Sequence, residues 1–141
     1  MSTTVIRPAA TGEPGYSSKF ACCPESVPEA RGLVRSALQT WGMERLAPEA
    51  LVAVSELATN AVIHSGGSEI EVRVCRTKPG RVRVEVADSS NAAPRLADPQ
   101  PNAESGRGLM LVNALADQWG TENSEAGKRV WAEFSSAVRI E

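Results

Sequence analysis

Histidine and cysteine are scarce in this 141-residue chain, which contains one histidine and three cysteines. Cys22 and Cys23 are adjacent and Cys75 is left over, so a disulfide framework is not expected. With His64 as the single imidazole, a zinc site is not expected either. Reduced cysteines are typical of the cytoplasm, and we predict a cytoplasmic location.

Long apolar runs and a strong excess of one charge are also absent. No stretch reaches the roughly 20 apolar residues of a membrane span, and the first residues lack the apolar run of a signal peptide. The net charge of −2 gives no basic surface for nucleic acid. We therefore predict neither a membrane partner nor a direct nucleic-acid partner.

The apolar pattern predicts one domain over residues 16–141. Residues 1–15 contain prolines and glycines without a period and predict a flexible tail. The segment from Tyr16 to Cys23 alternates and predicts an edge strand. One helix begins at Ser26 as its N-cap, a second begins near Pro48, and a third follows the glycines near residue 108.

Two hairpins complete the predicted fold, formed by residues 69–76 with 81–87 and by 119–121 with 128–135. This order favours an α+β fold, a two-layer sandwich in which about three helices pack on one face of a mixed or antiparallel sheet. Residues 89–105 hold three prolines and show no period, and we predict that they form a lid.

Polar side chains follow one side of the second predicted helix, at Glu56, Asn60 and His64. Glu56 and Asn60 are one turn apart, so their side chains meet. One interpretation is an internal hydrogen bond between them, with His64 placed favourably in the helix dipole. The other is a carboxylate base beside an oxygen ligand for Mg²⁺. The polar stripe alone does not decide between the two.

Two further signals lie at the ends of predicted elements. Asp88 ends a strand and is either a turn-initiating residue or an acceptor for an exocyclic amino group. The segment Ser105–Leu109 opens the third helix, where its glycines serve a plain turn or leave backbone amides free for phosphate oxygens. Arg107 either adds a charged contact to phosphate or faces water.

Together these signals resemble the ATP-binding domain of the GHKL superfamily, which has the Bergerat fold. The segments that carry the resemblance are ELATNAVIHSG as the N-box, VEVADSS as the first glycine box, SGRGLMLV as the second, and GKRVWAEF as the closing strand. Within the superfamily, the chain resembles the serine-kinase anti-sigma-factor regulators of bacteria over about residues 16–136.

The resemblance implies a role for each candidate residue. Asn60 would coordinate the Mg²⁺ that bridges the phosphates of ATP, Glu56 would act as general base, and Asp88 would accept a hydrogen bond from the adenine amino group. The remaining residues would contact phosphates or frame their pocket: His64, Gly106, Arg107, Gly108 and Leu109. ATP and Mg²⁺ are therefore the expected ligands.

Two positions depart from the family's pattern. Asp88 is followed by Ser89-Ser90-Asn91-Ala92, without the usual two glycines, which reduces backbone freedom near the adenine. The closing strand has Arg129 where a small hydroxyl residue often stands.

The resemblance implies a serine/threonine kinase that binds Mg-ATP, phosphorylates an anti-anti-sigma partner and sequesters a sigma factor. The missing glycines leave a second hypothesis, a catalytically weak or inactive nucleotide-binding module that acts by protein–protein binding. A redox sensor that uses Cys22 and Cys23 is a third hypothesis. The resemblance is also compatible with a homodimer formed through the first strand and helix.

Overall fold

The computed structural model describes residues 15–64, 67–88, 110–124 and 127–135, and the backbone of residues 3–6. Two helices, α1 (Ser26–Thr40) and α2 (Ala47–His64), are joined by a short 3₁₀ turn at Glu44–Leu46. Residues 110–115 form a further helical segment. These helices occupy the three places that the sequence predicts.

The described strands form one six-stranded sheet. They are β1 (Thr3–Ile6), β2 (Gly15–Ala21), β3 (Glu69–Lys78), β4 (Arg81–Asp88), β5 (Gln118–Ser124) and β6 (Gly127–Ser135). Their order is β1-β2-β3-β4-β6-β5, and every neighbouring pair is antiparallel. The predicted α+β class and both predicted hairpins are confirmed.

Alternation along the strands decides which face of the sheet the helices cover. Side chains two residues apart point to the same face, and one face is apolar on the three central strands: Ile70, Val72, Val74, Val82, Val84, Val86, Ala132 and Phe134. Residues of α1 and α2 pack into the same core, chiefly Ala30, Val34, Leu38, Ala53, Val54 and Leu57. The sheet and the helices therefore form two layers around one core.

The N-terminal end of the sheet differs from the sequence prediction. Thr3–Ile6, which the prediction assigned to a tail over 1–15, pair with β2 as β1. The strand that begins near Tyr16 is therefore an inner strand rather than an edge strand. The four residues of β1 are all β-branched, and such residues favour extended backbone even where no hydrophobic period is visible.

Ser26 also has a different role from the predicted N-cap. It is the first residue of α1, it is 1% exposed, and its hydroxyl donates a hydrogen bond of 2.6 Å to the carbonyl of Ala21. Glu25 occupies the N-cap position without a side-chain hydrogen bond. A buried hydroxyl needs a hydrogen-bond partner. The Ser26 hydroxyl finds it in the carbonyl of Ala21 at the end of β2, and not in a backbone amide of α1 as the N-cap prediction implied.

One segment is more apolar than the sequence analysis allowed. Glu44–His64 has 21 residues and is long and apolar enough, by length and composition, to cross a membrane. Ala50, Ala53, Val54 and Ala58 of this segment are fully buried inside the domain. A core helix meets the same criterion, and the packing of α2 against α1 and the sheet fits a core helix.

The face of the sheet opposite α1 and α2 carries a network of ion pairs. Glu85 lies 3.8 Å from Arg73 Nη1, 2.8 Å from Arg83 Nε and 3.4 Å from Arg129 Nε. The Glu85 side chain is 9% exposed, whereas the three arginines are 23–37% exposed. Glu133 continues the network, with Arg83 at 3.5 Å. A carboxylate is thus covered by three guanidinium groups, which neutralise it and shield it from water.

Trp131 lies on this same face and requires a glycine beside it. The guanidinium carbon of Arg83 is 4.1 Å from the centre of the Trp131 ring, a cation–π contact. Gly120 is the cross-strand neighbour of Trp131 on β5. A Cβ at Gly120 would lie 2.9 Å from Trp131 Cζ2 and 3.1 Å from Cε2. The indole can lie across β5 because residue 120 has no side chain.

We expect Gly120→Ala to destabilise the domain by about 1 kcal/mol or more, because the indole must move and its contact with Arg83 weakens. The control is Gly32→Ala in α1, where nothing lies within 4 Å of the added Cβ. That change should be neutral or stabilise by up to about 1 kcal/mol, since alanine is the better helix former. Urea unfolding measures both. Equal effects of the two substitutions would contradict the packing account.

Candidate functional site

The polar stripe of α2 faces away from the core. Ala53, Val54, Leu57 and Ala58 are buried, whereas Glu56 and Asn60 are half-buried. Among contacts within the described part of the chain, neither polar side chain makes a hydrogen bond or ion pair. The internal hydrogen bond between Glu56 and Asn60 is therefore not formed. With respect to the described residues, both groups are available for a ligand.

Two contacts fix the direction of α2 across the sheet. Cys22 Sγ lies 3.8 Å from the carbonyl oxygen of Ala61 and 3.9 Å from that of Val62, and Cys22 directly follows β2. Ala21, the last residue of β2, pairs with Glu69 at the start of β3. The C-terminal end of α2 therefore lies over the edge of the sheet where β2 ends and β3 begins.

Asp88 lies at this same edge of the sheet. It pairs with Ile70 on β3 and with Lys128 on β6. By alternation from Val86, its side chain is on the face that the helices cover, and α2 packs on β4. The fold thus brings the C-terminal half of α2, with Asn60, to the same end of the domain as Asp88.

Next to Asp88, the helix side of the sheet becomes more exposed along the described residues of β6 and β5. Along β6, exposure rises from buried Phe134 and Ala132, through half-buried Val130, to exposed Lys128. On β5, Thr121 and its neighbour Asn123 are exposed as well. A ligand held between α2 and Asp88 would therefore find an accessible, polar corner of the sheet beside it.

The remaining predicted site residues fall into two groups. His64 is the last residue of α2 and is exposed at the same end of the helix as Asn60. The second group lies outside the described residues: the lid over 89–105 and Gly106, Arg107, Gly108 and Leu109. Their predicted roles as lid and phosphate contacts stay predictions.

Arg129 does not lie on the side of the sheet that the helices cover. It pairs with Ala87 rather than Asp88, and its Nε is 3.4 Å from Glu85 on the face opposite α1 and α2. The side chains of β6 that share the helix side near Asp88 are Lys128 and Val130. Arg129, which the sequence analysis noted as a departure from the family's closing strand, therefore points away from α1 and α2, because consecutive residues of a strand face opposite sides.

A polar contact that the sequence did not reveal connects the two helices. Arg31 of α1 donates a hydrogen bond of 3.2 Å to the hydroxyl of Ser55, and this hydroxyl donates to the carbonyl of Leu51 at 2.8 Å. Ser55 directly precedes Glu56. The contact restricts rotation of α2 about its axis and helps to fix the direction of the polar stripe.

Two cavities lie elsewhere in the described part of the chain. One of about 750 Å³ lies at the opposite end of the sheet and is lined by Glu49, Arg81, Ala114, Leu115, Ala116, Asp117 and Ser135. The other, about 440 Å³, lies between α1 and β2. Neither cavity is lined by Glu56, Asn60 or Asp88, so the larger cavity does not coincide with the candidate site.

Asn60 offers a single carboxamide oxygen, which suits Mg²⁺ better than it suits a metal ion that protein side chains hold alone. Within the residues that the structure describes, no group of three or more His, Cys, Asp or Glu side chains is placed to hold a metal ion. Mg²⁺ commonly takes one or two protein oxygens and completes its shell with phosphates and water. A single carboxamide oxygen beside a nucleotide is compatible with that preference.

Comparison with known proteins decides the family. The sequence profile of the histidine kinase-like ATPase domain matches residues 20–134. The chain belongs to the histidine kinase-like ATPase family. This confirms the predicted GHKL superfamily, whose members bind nucleotide, typically with Mg²⁺. Asn60 and Asp88 both lie inside the matched range.

Two further similarities accompany this histidine kinase-like ATPase domain. An uncharacterized protein of Streptomyces coelicolor is 38% identical over 73 residues, which are 49% of this chain and 69% of that protein. The histidine kinase domain of a blue-light-activated histidine kinase from Erythrobacter litoralis superposes with a TM-score of 0.50 at 23% identity. The match covers 64% of this chain and 45% of that chain, so this domain spans less than half of it. The likeness shows a shared fold.

Proposed function

We propose that this histidine kinase-like ATPase domain is an anti-sigma-factor-type serine/threonine kinase. It binds Mg-ATP, transfers the γ-phosphoryl group to a serine or threonine of an anti-anti-sigma partner, and sequesters a sigma factor. The observation that carries the proposal is the placement of Glu56 and Asn60 on one half-buried polar stripe of α2, at the end of the domain where Asp88 ends β4.

The proposed reaction gives each of these residues one task. Glu56 takes the proton of the partner's hydroxyl while the hydroxyl oxygen forms a bond to the γ-phosphorus. The bond between the γ-phosphorus and the β–γ bridging oxygen breaks, and ADP leaves. Asn60 would hold Mg²⁺ through its carboxamide oxygen, and the ion would supply positive charge that neutralises the phosphates. Asp88 accepts a hydrogen bond from the adenine amino group and sets the direction of the nucleotide.

A second candidate is a nucleotide-binding module that regulates its partner by binding alone. It is favoured by the sequence after Asp88, where Ser89-Ser90-Asn91-Ala92 replaces the two glycines of the family's pattern. Larger side chains there reduce the backbone freedom that closure around a nucleotide uses. Such a module would bind ATP and its partner without transferring phosphate.

Nucleotide binding is tested by calorimetry on the full chain with ATP and ADP in the presence of Mg²⁺. We expect the wild type to bind both, and Asn60→Ala and Asp88→Asn each to weaken binding by about tenfold or more, since each loses a charge-assisted contact. The matched control is Asp117→Asn, at the opposite end of the sheet beside the cavity of about 750 Å³. That variant should bind as the wild type does.

Transfer is tested with γ-labelled ATP and purified anti-anti-sigma proteins from the same organism. Label on the partner's serine or threonine supports the kinase. Nucleotide binding together with partner binding, but without label transfer, favours the non-catalytic module. A wild type that binds neither ATP nor ADP rejects both candidates.

A further inference from the structure

The position next to Asp88 on the neighbouring strand is occupied by a lysine. Asp88 of β4 and Lys128 of β6 are direct cross-strand partners, on the side of the sheet that the helices cover. Directly opposed residues have Cβ atoms about 4.5–5.5 Å apart. Any group that Asp88 holds is therefore within reach of the flexible Lys128 side chain.

The Lys128 side chain is accessible. Lys128 is exposed, next to exposed Asn123 on β5. Among the ion pairs of the described residues, none involves Lys128, whereas Arg129 beside it is committed to Glu85. Within the described residues, a carboxylate acceptor and an accessible cationic side chain therefore lie side by side at this corner of the sheet.

We propose that Lys128 reads the nucleobase together with Asp88. The inference rests on the nucleotide binding of the proposed function and adds a specificity-determining residue to that site. Adenine presents an amino donor next to a ring-nitrogen acceptor, N1, along one edge. Asp88 accepts from the amino group and Lys128 donates to N1, so that the carboxylate–ammonium pair matches the donor–acceptor order of this edge.

The ammonium group of Lys128 is placed at the base of the nucleotide rather than at its phosphates. The phosphate end of the nucleotide is set by Asn60 on α2, whereas Lys128 and Asp88 are neighbours on the sheet. Because Lys128 is the neighbour of Asp88, its ammonium group approaches the end of the nucleotide that Asp88 binds. Contact with the base follows from that shared position.

The experiment compares ATP with 1-deaza-ATP, in which a carbon replaces N1, on the full-length wild type and on Lys128→Met. We expect Lys128→Met to bind ATP about 3–10-fold more weakly, the range for one partly exposed charge-assisted hydrogen bond. Wild type should lose a similar factor with 1-deaza-ATP. The variant should bind 1-deaza-ATP no more weakly than the wild type does.

The matched control is Lys78→Met, an exposed lysine at the other end of the sheet with the same change in charge. It should leave both affinities unchanged, and thermal melts should show all three proteins folded. If Lys128→Met binds ATP as tightly as the wild type, or loses the same factor with both nucleotides, the base-reading role is wrong. If the wild type binds no nucleotide, the proposed function fails first and the role of Lys128 fails with it.

Discussion

Glu56→Gln is expected to lower phosphoryl transfer by a factor of about 10²–10⁴ while leaving the affinity for Mg-ATP within about twofold. Glutamine has nearly the same shape as glutamate but cannot accept the proton of the attacking hydroxyl, and loss of a general base typically costs this much. Glu56 is half-buried and makes no hydrogen bond or ion pair within the described residues, so the substitution leaves no partner unpaired. Single-turnover transfer and calorimetry measure the two quantities separately.

The control for this prediction is Glu49→Gln on the same helix. Glu49 lies two turns before Glu56, towards the N-terminal end of α2, and lines the cavity at the opposite end of the sheet. The same chemical change there should leave transfer and affinity intact. Equal transfer rates in wild type and Glu56→Gln would reject Glu56 as the base. A large loss of affinity in that variant would assign Glu56 to ligand binding instead.

Glu85→Ala is expected to destabilise the domain by about 2–3 kcal/mol. The carboxylate is 9% exposed and is the shared partner of Arg73, Arg83 and Arg129, so its removal leaves three guanidinium groups close together without a counter-charge. Breaking a buried ion pair from one side costs about 3–5 kcal/mol. The partial exposure of the arginines reduces that figure, because solvent screens their repulsion.

The control for the ion-pair network is Glu122→Ala. Glu122 lies on the same face, on β5, opposite Arg129, but it is exposed. Its loss should change the free energy of unfolding by about 0.5 kcal/mol or less, as for most exposed pairs. Urea unfolding at low and high salt measures both variants. A small effect of Glu85→Ala, equal to that of Glu122→Ala, would show that the network contributes nothing beyond an ordinary surface pair.

The sequence alone determined the fold class of this domain, the three helices and the two hairpins, but not strand β1. Period-two runs such as Val82, Val84 and Val86 predict a strand with one buried face, and the structure buries all three. The apolar residues of α2 similarly predict a core helix, interrupted by Glu56 and Asn60. Both signals are local, since a strand or an amphipathic helix repeats its pattern within a few residues. Motif order then identified the superfamily, which the family comparison confirms.

Tertiary structure decided what each polar residue can do. Whether Glu56 and Asn60 bond each other, and which end of α2 lies near Asp88, depends on packing between segments that are distant in the sequence. Register across β4 and β6 placed Lys128 beside Asp88 and turned Arg129 to the other face. A shift of one residue exchanges the two faces of a strand, and that register is fixed by long-range pairing rather than by local pattern.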